Sequence, residues 1–184
     1  VETDDSYEYF WEDCYRAVSY CNFALEALED NPNWDEKEVA LLRAEARVSR
    51  AYHHFLLVSL FTDMFDLPNI GTNPGIPYVT EPEDIVFKQY ERGTIEGTLE
   101  NIEKDLFEEL DNLPSSSSYA VPKFRFTRDA GYAFAVRYYL FMRDYDKVIE
   151  YADKLLPNAA KFENIGTNTF DGSPKQYVAA DDVA

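Results

Sequence analysis

Apolar residues recur at intervals of three and four positions through most of this chain, and that period restricts it to a helical fold. In the first segment the period continues without a break over Tyr7, Phe10, Trp11, Cys14, Ala17, Val18, Cys21, Ala24, Leu25 and Leu28. Such spacing places these side chains on one side of an amphipathic helix. We therefore predict a first helix at about residues 6–29, ended by the turn-forming residues 30–33.

A second and longer helix is predicted at about residues 35–66. Acidic residues in its first turn, among them Asp35 and Glu36, suit the positive end of the helix dipole. Residues 52–65 are apolar on almost every side, so this half of the helix needs neighbours on more than one side. We therefore expect it to be the central helix of the fold.

Three further helices follow from the same period and from residues that start or stop helices, at about residues 94–113, 127–142 and 145–157. The last two form a hairpin typical of a tetratricopeptide repeat, whose period is about 34 residues. Residues 67–84 are rich in Pro and Gly and predict an extended connection over the surface. The expected fold is all-α, with tetratricopeptide-like helical hairpins (an α-α superhelix), a long Pro/Gly-rich loop and an irregular tail.

The composition excludes two classes of partner. The 184 residues include 17 Lys and Arg against 35 Asp and Glu, which gives a formal net charge of −18. A surface of this charge repels the phosphates of nucleic acids and the head groups of anionic lipids. No apolar run approaches the roughly 20 residues of a membrane-spanning helix. We expect no nucleic-acid partner and no basic surface that binds a membrane.

The two cysteines are predicted to be free. Cys14 and Cys21 are seven residues apart on the predicted first helix, where a rise of 1.5 Å per residue separates their Cα atoms by about 10.5 Å. A disulfide tolerates a Cα separation of at most about 7 Å. Two buried core thiols are therefore expected, and two thiols alone cannot form a structural zinc cluster.

No catalytic constellation is recognisable. His53 and His54 are adjacent, so on a helix they point about 100° apart and cannot bind one metal ion, and His54 is predicted to be a core residue. The motifs of serine hydrolases, zinc proteases and nucleotide-binding loops are absent. Neighbouring carboxylates such as Glu108, Glu109 and Asp111 are predicted to lie on solvated helix faces. We predict a protein that is not an enzyme and holds no metal or cofactor.

Aromatic residues make up 16% of the chain, enough for a binding surface as well as a core. Flat aromatic faces bind the apolar C–H faces of sugar rings, with polar groups beside them. Four aromatic residues in predicted loops or at helix edges are candidates for such contacts: Trp34, Tyr78, Tyr90 and Tyr119. The alternative for each is an ordinary packing role that covers the core.

Several short motifs stand in the order found in one known family. R-A-E-A-R at residues 43–47, followed by R-A-Y at residues 50–52, resembles the A-E-A-x-x-x-R-A-y helix of the SusD/RagB family. The other similar segments are W-x-x-x-Y and Asn in residues 11–22, G-I-P-Y at 75–78, R-G-T at 92–94, I-x-x-D-L at 102–106, L-P at 113–114 and the hairpin in residues 126–145. In place of the family's G-D-x-P turn, residues 62–68 keep Asp63 but lack the Gly.

This resemblance implies a nutrient-binding protein on the extracellular face of the outer membrane. It would capture a glycan or other nutrient without catalysis and deliver it to a partner TonB-dependent transporter of the SusC type. Family members are much longer and are anchored by a lipidated N-terminal Cys, which neither Cys14 nor Cys21 can be. Residues 1–184 are therefore expected to be a single N-terminal helical domain from a longer chain. The resemblance leaves the glycan contacts largely to loops outside the matched helices.

Two other functions are compatible with the helical pattern. A small tetratricopeptide adaptor would bind a peptide in a concave groove and would show no dependence on sugar. An acidic all-α enzyme such as a glycan hydrolase would need two converging carboxylates with perturbed pKa values.

Overall fold

The computed structural model describes residues 6–29, 34–63, 68–83 and 88–156. Within these ranges the chain forms no β-strand and five α-helices: α1 (Tyr7–Glu29), α2 (Glu36–Phe61), α3 (Ile95–Phe107), α4 (Arg128–Met142) and α5 (Tyr145–Leu155). Three single-turn 3-10 helices lie between α3 and α4, at Leu110–Asn112, Ser116–Ser118 and Pro122–Phe124. The prediction of an all-α fold is confirmed. The predicted turn at 30–33 and the predicted tail after 157 lie outside the described residues.

Four of the helices begin at a side chain that accepts a hydrogen bond from the first turn. Asp35 caps α2, Thr94 caps α3, Thr127 caps α4 and Asp144 caps α5. Each of these oxygens satisfies backbone N–H groups that have no partner within the helix itself. The helix starts are therefore determined locally, within a few residues of sequence.

The core forms around α2, which packs against α1, α3 and α4. Its fully buried apolar side chains are Ala44, Val48, Ala51, Leu57 and Val58, with Phe55 almost fully buried, and His54 is fully buried beside them. The helix ends at Phe61 rather than near residue 66, and Thr62 is already extended. The Thr62 hydroxyl donates to the Val58 carbonyl at 2.6 Å, which satisfies one acceptor of the last turn.

The Pro/Gly-rich segment differs in one respect from its prediction, and we call its described residues, 68–83, the extended segment. Residues 68–83 contain no helix, as expected, but they do not run over the surface throughout, since Gly75, Ile76 and Val79 are buried. Proline and glycine indicate an irregular backbone and say nothing about its burial. Polar side chains from three helices pair with this backbone, including Asn22 with the Val79 carbonyl and His54 with the Val79 N–H.

The helix predicted at 94–113 is shorter in the structure. The α-helix ends at Phe107, and the chain continues in the 3-10 turn Leu110–Asn112. The apolar period was nonetheless informative, because Leu110 and Leu113 are buried. Glu109 is buried as well, which contradicts its predicted place on a solvated face. Its carboxylate accepts from Asn112 at 2.9 Å and lies 3.7 Å from the Arg47 guanidinium, and this charge pairing compensates its burial.

Helices α4 and α5 form the predicted hairpin. Arg143 closes α4 in a left-handed conformation, with φ of 61°, and Asp144 caps α5 directly afterwards. Tyr139 of α4 stacks on Tyr151 of α5 with ring centroids 5.6 Å apart. None of the five described helices is both long enough and apolar enough to cross a bilayer.

Both cysteine thiols are buried and unpaired, as predicted. Burial raises the pKa of both Cys14 and Cys21, so little reactive thiolate forms at neutral pH. Iodoacetamide is expected to leave the folded protein unmodified on a timescale at which the urea-unfolded protein gains two carbamidomethyl groups, as measured by intact-mass spectrometry. A Cys14–Cys21 disulfide is not expected, and its detection before reduction would contradict α1.

Candidate functional site

A buried ion pair lies at the centre of the described residues. Arg50 of α2 and Asp105 of α3 form a bidentate pair, Nε to Oδ2 at 2.7 Å and Nη2 to Oδ1 at 2.8 Å. Their side chains are only 7% and 8% exposed. The remaining Arg50 nitrogen, Nη1, donates to Asn22 at 2.8 Å and to the Thr80 carbonyl at 3.1 Å. These bonds connect α1, α2, α3 and the extended segment through one guanidinium group.

His54 extends this network as a neutral imidazole. The Val79 N–H donates to Nε2 at 3.1 Å, so Nε2 carries no proton, and Nδ1–H donates to the Arg50 carbonyl at 2.9 Å. The Tyr78 ring stacks on the imidazole with centroids 3.9 Å apart. Burial lowers the pKa of His54 to about 4. His54 is thus a core residue with both nitrogens paired, as the sequence analysis expected.

The lowered pKa of His54 has a consequence for stability. Its value falls from 6.5 to about 4 on folding, so protonation favours the unfolded chain. The contribution of His54 is fully present above pH 6.5 and is lost as pH falls toward 4, a difference of about 3 kcal/mol. We expect urea unfolding to show a smaller loss of stability between pH 7 and 4.5 in His54→Gln than in the wild type. His53→Gln is the control, and an equal pH dependence in the wild type and His54→Gln would contradict the assignment.

The network holds the extended segment beside α1 and thereby forms one wall of a groove. The Tyr15 hydroxyl donates to the Pro77 carbonyl at 2.8 Å, and the Asn22 amide donates to the Val79 and Glu81 carbonyls. We call the resulting cavity of about 520 Å³ the α1 groove. It is lined by Trp11, Glu12, Tyr15, Arg16 and Ser19 of α1, by Pro77, Val79, Glu81 and Glu83 of the extended segment, and by Tyr90.

A second cavity of about 610 Å³ lies between α1, α2 and the 3-10 turn Pro122–Phe124. We call it the hairpin groove, after the packed pair α1 and α2 and not after the α4–α5 hairpin. It is lined by Tyr20, Cys21, Ala24, Ala27, Leu28, Trp34, Leu42, Glu45, Ala46, Ser49, His53, Phe124, Arg125 and Phe126. Small side chains keep it open, and large aromatic ones border it. Tyr20, Trp34 and Phe124 are 68%, 46% and 85% exposed, so part of each ring is accessible to a ligand.

One carboxylate fixes the polar side of the hairpin groove. Glu45 of α2 accepts from Arg125 through both oxygens, from the Tyr119 hydroxyl at 3.1 Å and from the Phe126 N–H at 3.2 Å. The Arg125 guanidinium also lies over the Tyr119 ring, 4.5 Å from its centroid. Burial and the Glu45 charge raise the pKa of Tyr119 to about 12, so its hydroxyl remains a donor. This side of the groove is therefore preorganised.

The structure places the four candidate aromatic residues in different surroundings. Trp34 lies at the hairpin groove, and Tyr119 is next to it through Glu45. Tyr90 lines the α1 groove instead. Tyr78 belongs to the buried network, where one face of its ring meets His54 and its hydroxyl donates to Asp105 at 2.7 Å. A role of Tyr78 in ligand binding stays a prediction. The contacts agree with the alternative, a packing role that covers the core.

Several groove residues were not found from the sequence. Tyr20 and Phe124 of the hairpin groove, and Glu12 and Arg16 of the α1 groove, were not selected. Glu12 and Arg16 lie beside Trp11 on one side of α1, so helical spacing could have identified them. The opposite wall is contributed by residues far away in the sequence, which spacing cannot show.

Within the described ranges, no three His, Cys, Asp or Glu side chains converge where they could hold a metal ion. The carboxylates that line the two grooves are Glu12, Glu45, Glu81 and Glu83, and the guanidinium groups that line them are those of Arg16 and Arg125. This arrangement can accept hydrogen bonds and present apolar ring faces. It is suited to holding a polar ligand with apolar faces.

A family model described as starch-binding and associating with the outer membrane, SusD-like, matches residues 1–140. The chain therefore belongs to the SusD-like family, as the motifs indicated. The description names binding and not catalysis, which agrees with the prediction that the chain is not an enzyme. No curated protein gives a significant match.

Solved structures support the same family. A SusD superfamily protein from Bacteroides thetaiotaomicron VPI-5482 is 25% identical, with a TM-score of 0.66 over 80% of this chain and 31% of the other. A laminarin-binding SusD-like protein is also 25% identical, with a TM-score of 0.64 over 80% of this chain and 29% of the other. A SusD superfamily protein from Bacteroides fragilis shares the fold, with 21% identity and a TM-score of 0.73 over 83% of this chain and 35% of the other. The chain thus spans about a third of the length of these structures.

Proposed function

We propose that this chain is part of a non-catalytic protein that binds a glycan at the outer-membrane surface and delivers it to a TonB-dependent transporter of the SusC type. The observation that carries the proposal is the family match over residues 1–140, with its starch-binding description. The laminarin-binding relative, at 25% identity, supports a glycan as the ligand. Attachment to the membrane would be through a lipid, and buried Cys14 and Cys21 are not its attachment points.

The hairpin groove is the proposed place of glycan contact on this part of the protein. Trp34 is large, flat and partly exposed, and a sugar ring can stack its C–H face on the indole. Tyr119 is proposed to act beside it by holding Glu45 and Arg125 in place. A pocket with aromatic walls and a few fixed polar groups is typical of sites for small polar ligands.

Isothermal titration calorimetry with laminarin and soluble starch tests this proposal. We expect saturable binding without release of reducing ends, and an affinity about tenfold lower for Trp34→Ala, equivalent to about 1.4 kcal/mol. Tyr145→Ala is the matched control, because Tyr145 is an exposed aromatic residue on α5 outside both grooves. Absence of glycan binding, or release of reducing ends, would refute the proposed function.

The transporter part of the proposal needs a separate experiment. The protein is isolated from outer membranes through an affinity tag after mild detergent extraction, and its partners are identified by mass spectrometry. A TonB-dependent transporter in a fixed stoichiometry is the expected result. Recovery of the protein with soluble peptide-binding partners alone would instead favour the tetratricopeptide adaptor.

A further inference from the structure

We infer that the α1 groove is a second glycan subsite and that it selects neutral sugars over anionic ones. The inference rests on the proposed function, since it assigns part of the glycan contact to a face outside the hairpin groove. The α1 groove, of about 520 Å³, falls in the usual range of ligand pockets, about 300–1,000 Å³.

The apolar side of the α1 groove is held in place by aromatic packing. Trp11 contacts Tyr15 at a centroid distance of 5.0 Å and Phe61 edge-on at 4.9 Å. Tyr90 lines the same cavity, and the Lys88 ammonium lies 5.2 Å from its ring centroid. The rings therefore present a surface that needs little rearrangement to receive a sugar ring.

The polar side of the α1 groove carries an excess of negative charge. Among the described residues that line it are the carboxylates Glu12, Glu81 and Glu83 and a single cation, Arg16, which forms an ion pair with Asp13 at 2.9 Å. Two further cations lie near the groove without lining it: Lys88, 3.8 Å from Glu81, and Arg92, which donates to the Gly75 and Phe61 carbonyls. Carboxylates accept hydrogen bonds and donate none, so they suit the hydroxyl groups of a sugar. They repel the carboxylate of a uronic acid or a sulfate ester.

The far wall of the α1 groove is formed by residues 77–83 of the extended segment and is held in place by hydrogen bonds. The extended segment is held through its own backbone, by Tyr15 at Pro77, by His54 at Val79 and by Arg50 at Thr80. Because His54 and Arg50 are buried and Tyr15 packs partly buried against the core, the wall is in position before a ligand arrives. Preorganisation of this kind lowers the entropic cost of binding.

The two tryptophans of the chain allow each groove to be observed separately, because Trp11 lines the α1 groove and Trp34 lines the hairpin groove. In Trp34→Phe, Trp11 is the sole tryptophan. We expect its emission to change saturably with laminarin or soluble starch. Sulfated laminarin and carboxymethyl starch, which have the same backbones with added anions, are expected to bind about tenfold more weakly at low salt.

A charge variant tests the origin of this selectivity. Glu12→Gln/Glu83→Gln in the Trp34→Phe background is expected to remove most of the discrimination against the anionic polymers. The matched control is Glu100→Gln/Asp153→Asn, which removes two exposed carboxylates from α3 and α5 and should leave the discrimination unchanged.

The outcomes separate this inference from the proposed function. If calorimetry detects glycan binding while Trp11 emission does not change, the α1 groove is not a subsite and the proposed function stands. Equal or tighter binding of the anionic polymers would overturn the selectivity. If the wild type binds no glycan, the proposed function fails and the subsite fails with it.

Discussion

Asp105→Asn is expected to destabilise the fold by about 3–5 kcal/mol, because it leaves the buried Arg50 charge without its counter-ion. Asn keeps the shape of the side chain, so the loss comes from charge and not from a cavity. The same change also removes the carboxylate that accepts from the Tyr78 hydroxyl. Unfolding in urea, followed by circular dichroism at 222 nm, measures the effect. A domain stabilised by only about 5–15 kcal/mol would lose a large part of its stability.

An exposed ion pair provides the control for this prediction. Lys154 and Glu150 of α5 are also 2.7 Å apart, but their side chains are about half exposed. Glu150→Gln is expected to cost less than about 1 kcal/mol, because water screens this pair. The double variant Arg50→Met/Asp105→Leu should recover part of the loss, since it removes both buried charges together. A loss in Asp105→Asn no larger than that in Glu150→Gln would contradict the importance of the buried pair.

Gly75→Ala is expected to cost about 3 kcal/mol, the upper end of the usual range for overpacking. An added Cβ would lie 2.5 Å from the Thr98 Oγ1 and closer still to the Thr94 carbonyl oxygen. The carbonyl belongs to the backbone that starts α3, so the extended segment would have to move. Thermal unfolding measures the destabilisation. The movement should also weaken the glycan-dependent change in Trp11 emission, because residues after Gly75 form a wall of the α1 groove.

Gly97→Ala serves as the control for this substitution. Gly97 lies within α3, and an added Cβ there would have its nearest neighbour, the Thr94 Oγ1, at 3.4 Å. Alanine is the better helix former, so the change is expected to be neutral or to stabilise the fold by up to about 1 kcal/mol. Equal stabilities of Gly75→Ala and Gly97→Ala would contradict the close approach described for Gly75.

The helices were predictable because their determinants are local. Apolar spacing and the caps Asp35, Thr94, Thr127 and Asp144 lie within a few residues of the backbone that they organise. The early end of α3 was not predictable in this way. Leu110 and Leu113 keep the helical spacing, but Leu110 lies in a 3-10 turn and Leu113 directly after it. Both pack against Gly131 of α4, and that contact depends on tertiary packing.

The burial of the extended segment could not be predicted for a related reason. Its backbone partners include Tyr15 on α1, His54 on α2 and Thr98 on α3. Arg50, which also bonds to it, pairs with Asp105 across 55 positions of sequence. A pattern within one segment does not show such pairings. The sequence motifs did place Tyr15, Asn22, Arg50 and Asp105 in a family pattern, which is why the family could be inferred before the contacts were known. His54 lies outside those motifs.

The two grooves differ in how much the sequence indicated. Trp34 was selected because it is a large aromatic residue in a predicted connection, and the structure places it at the hairpin groove. Phe124, the most exposed large aromatic residue of that groove, lies in a 3-10 turn that no period predicted. The α1 groove needed the position of residues 77–83 beside α1, which only the folded chain defines.

The most direct test of the account is the emission of Trp34 as the sole tryptophan, in Trp11→Phe, during titration with laminarin and soluble starch. We expect a saturable change in emission with the same midpoint as calorimetry on the same variant, because the glycan covers the indole at the hairpin groove. An emission that stays constant while calorimetry shows binding would contradict the assignment of the glycan to this groove.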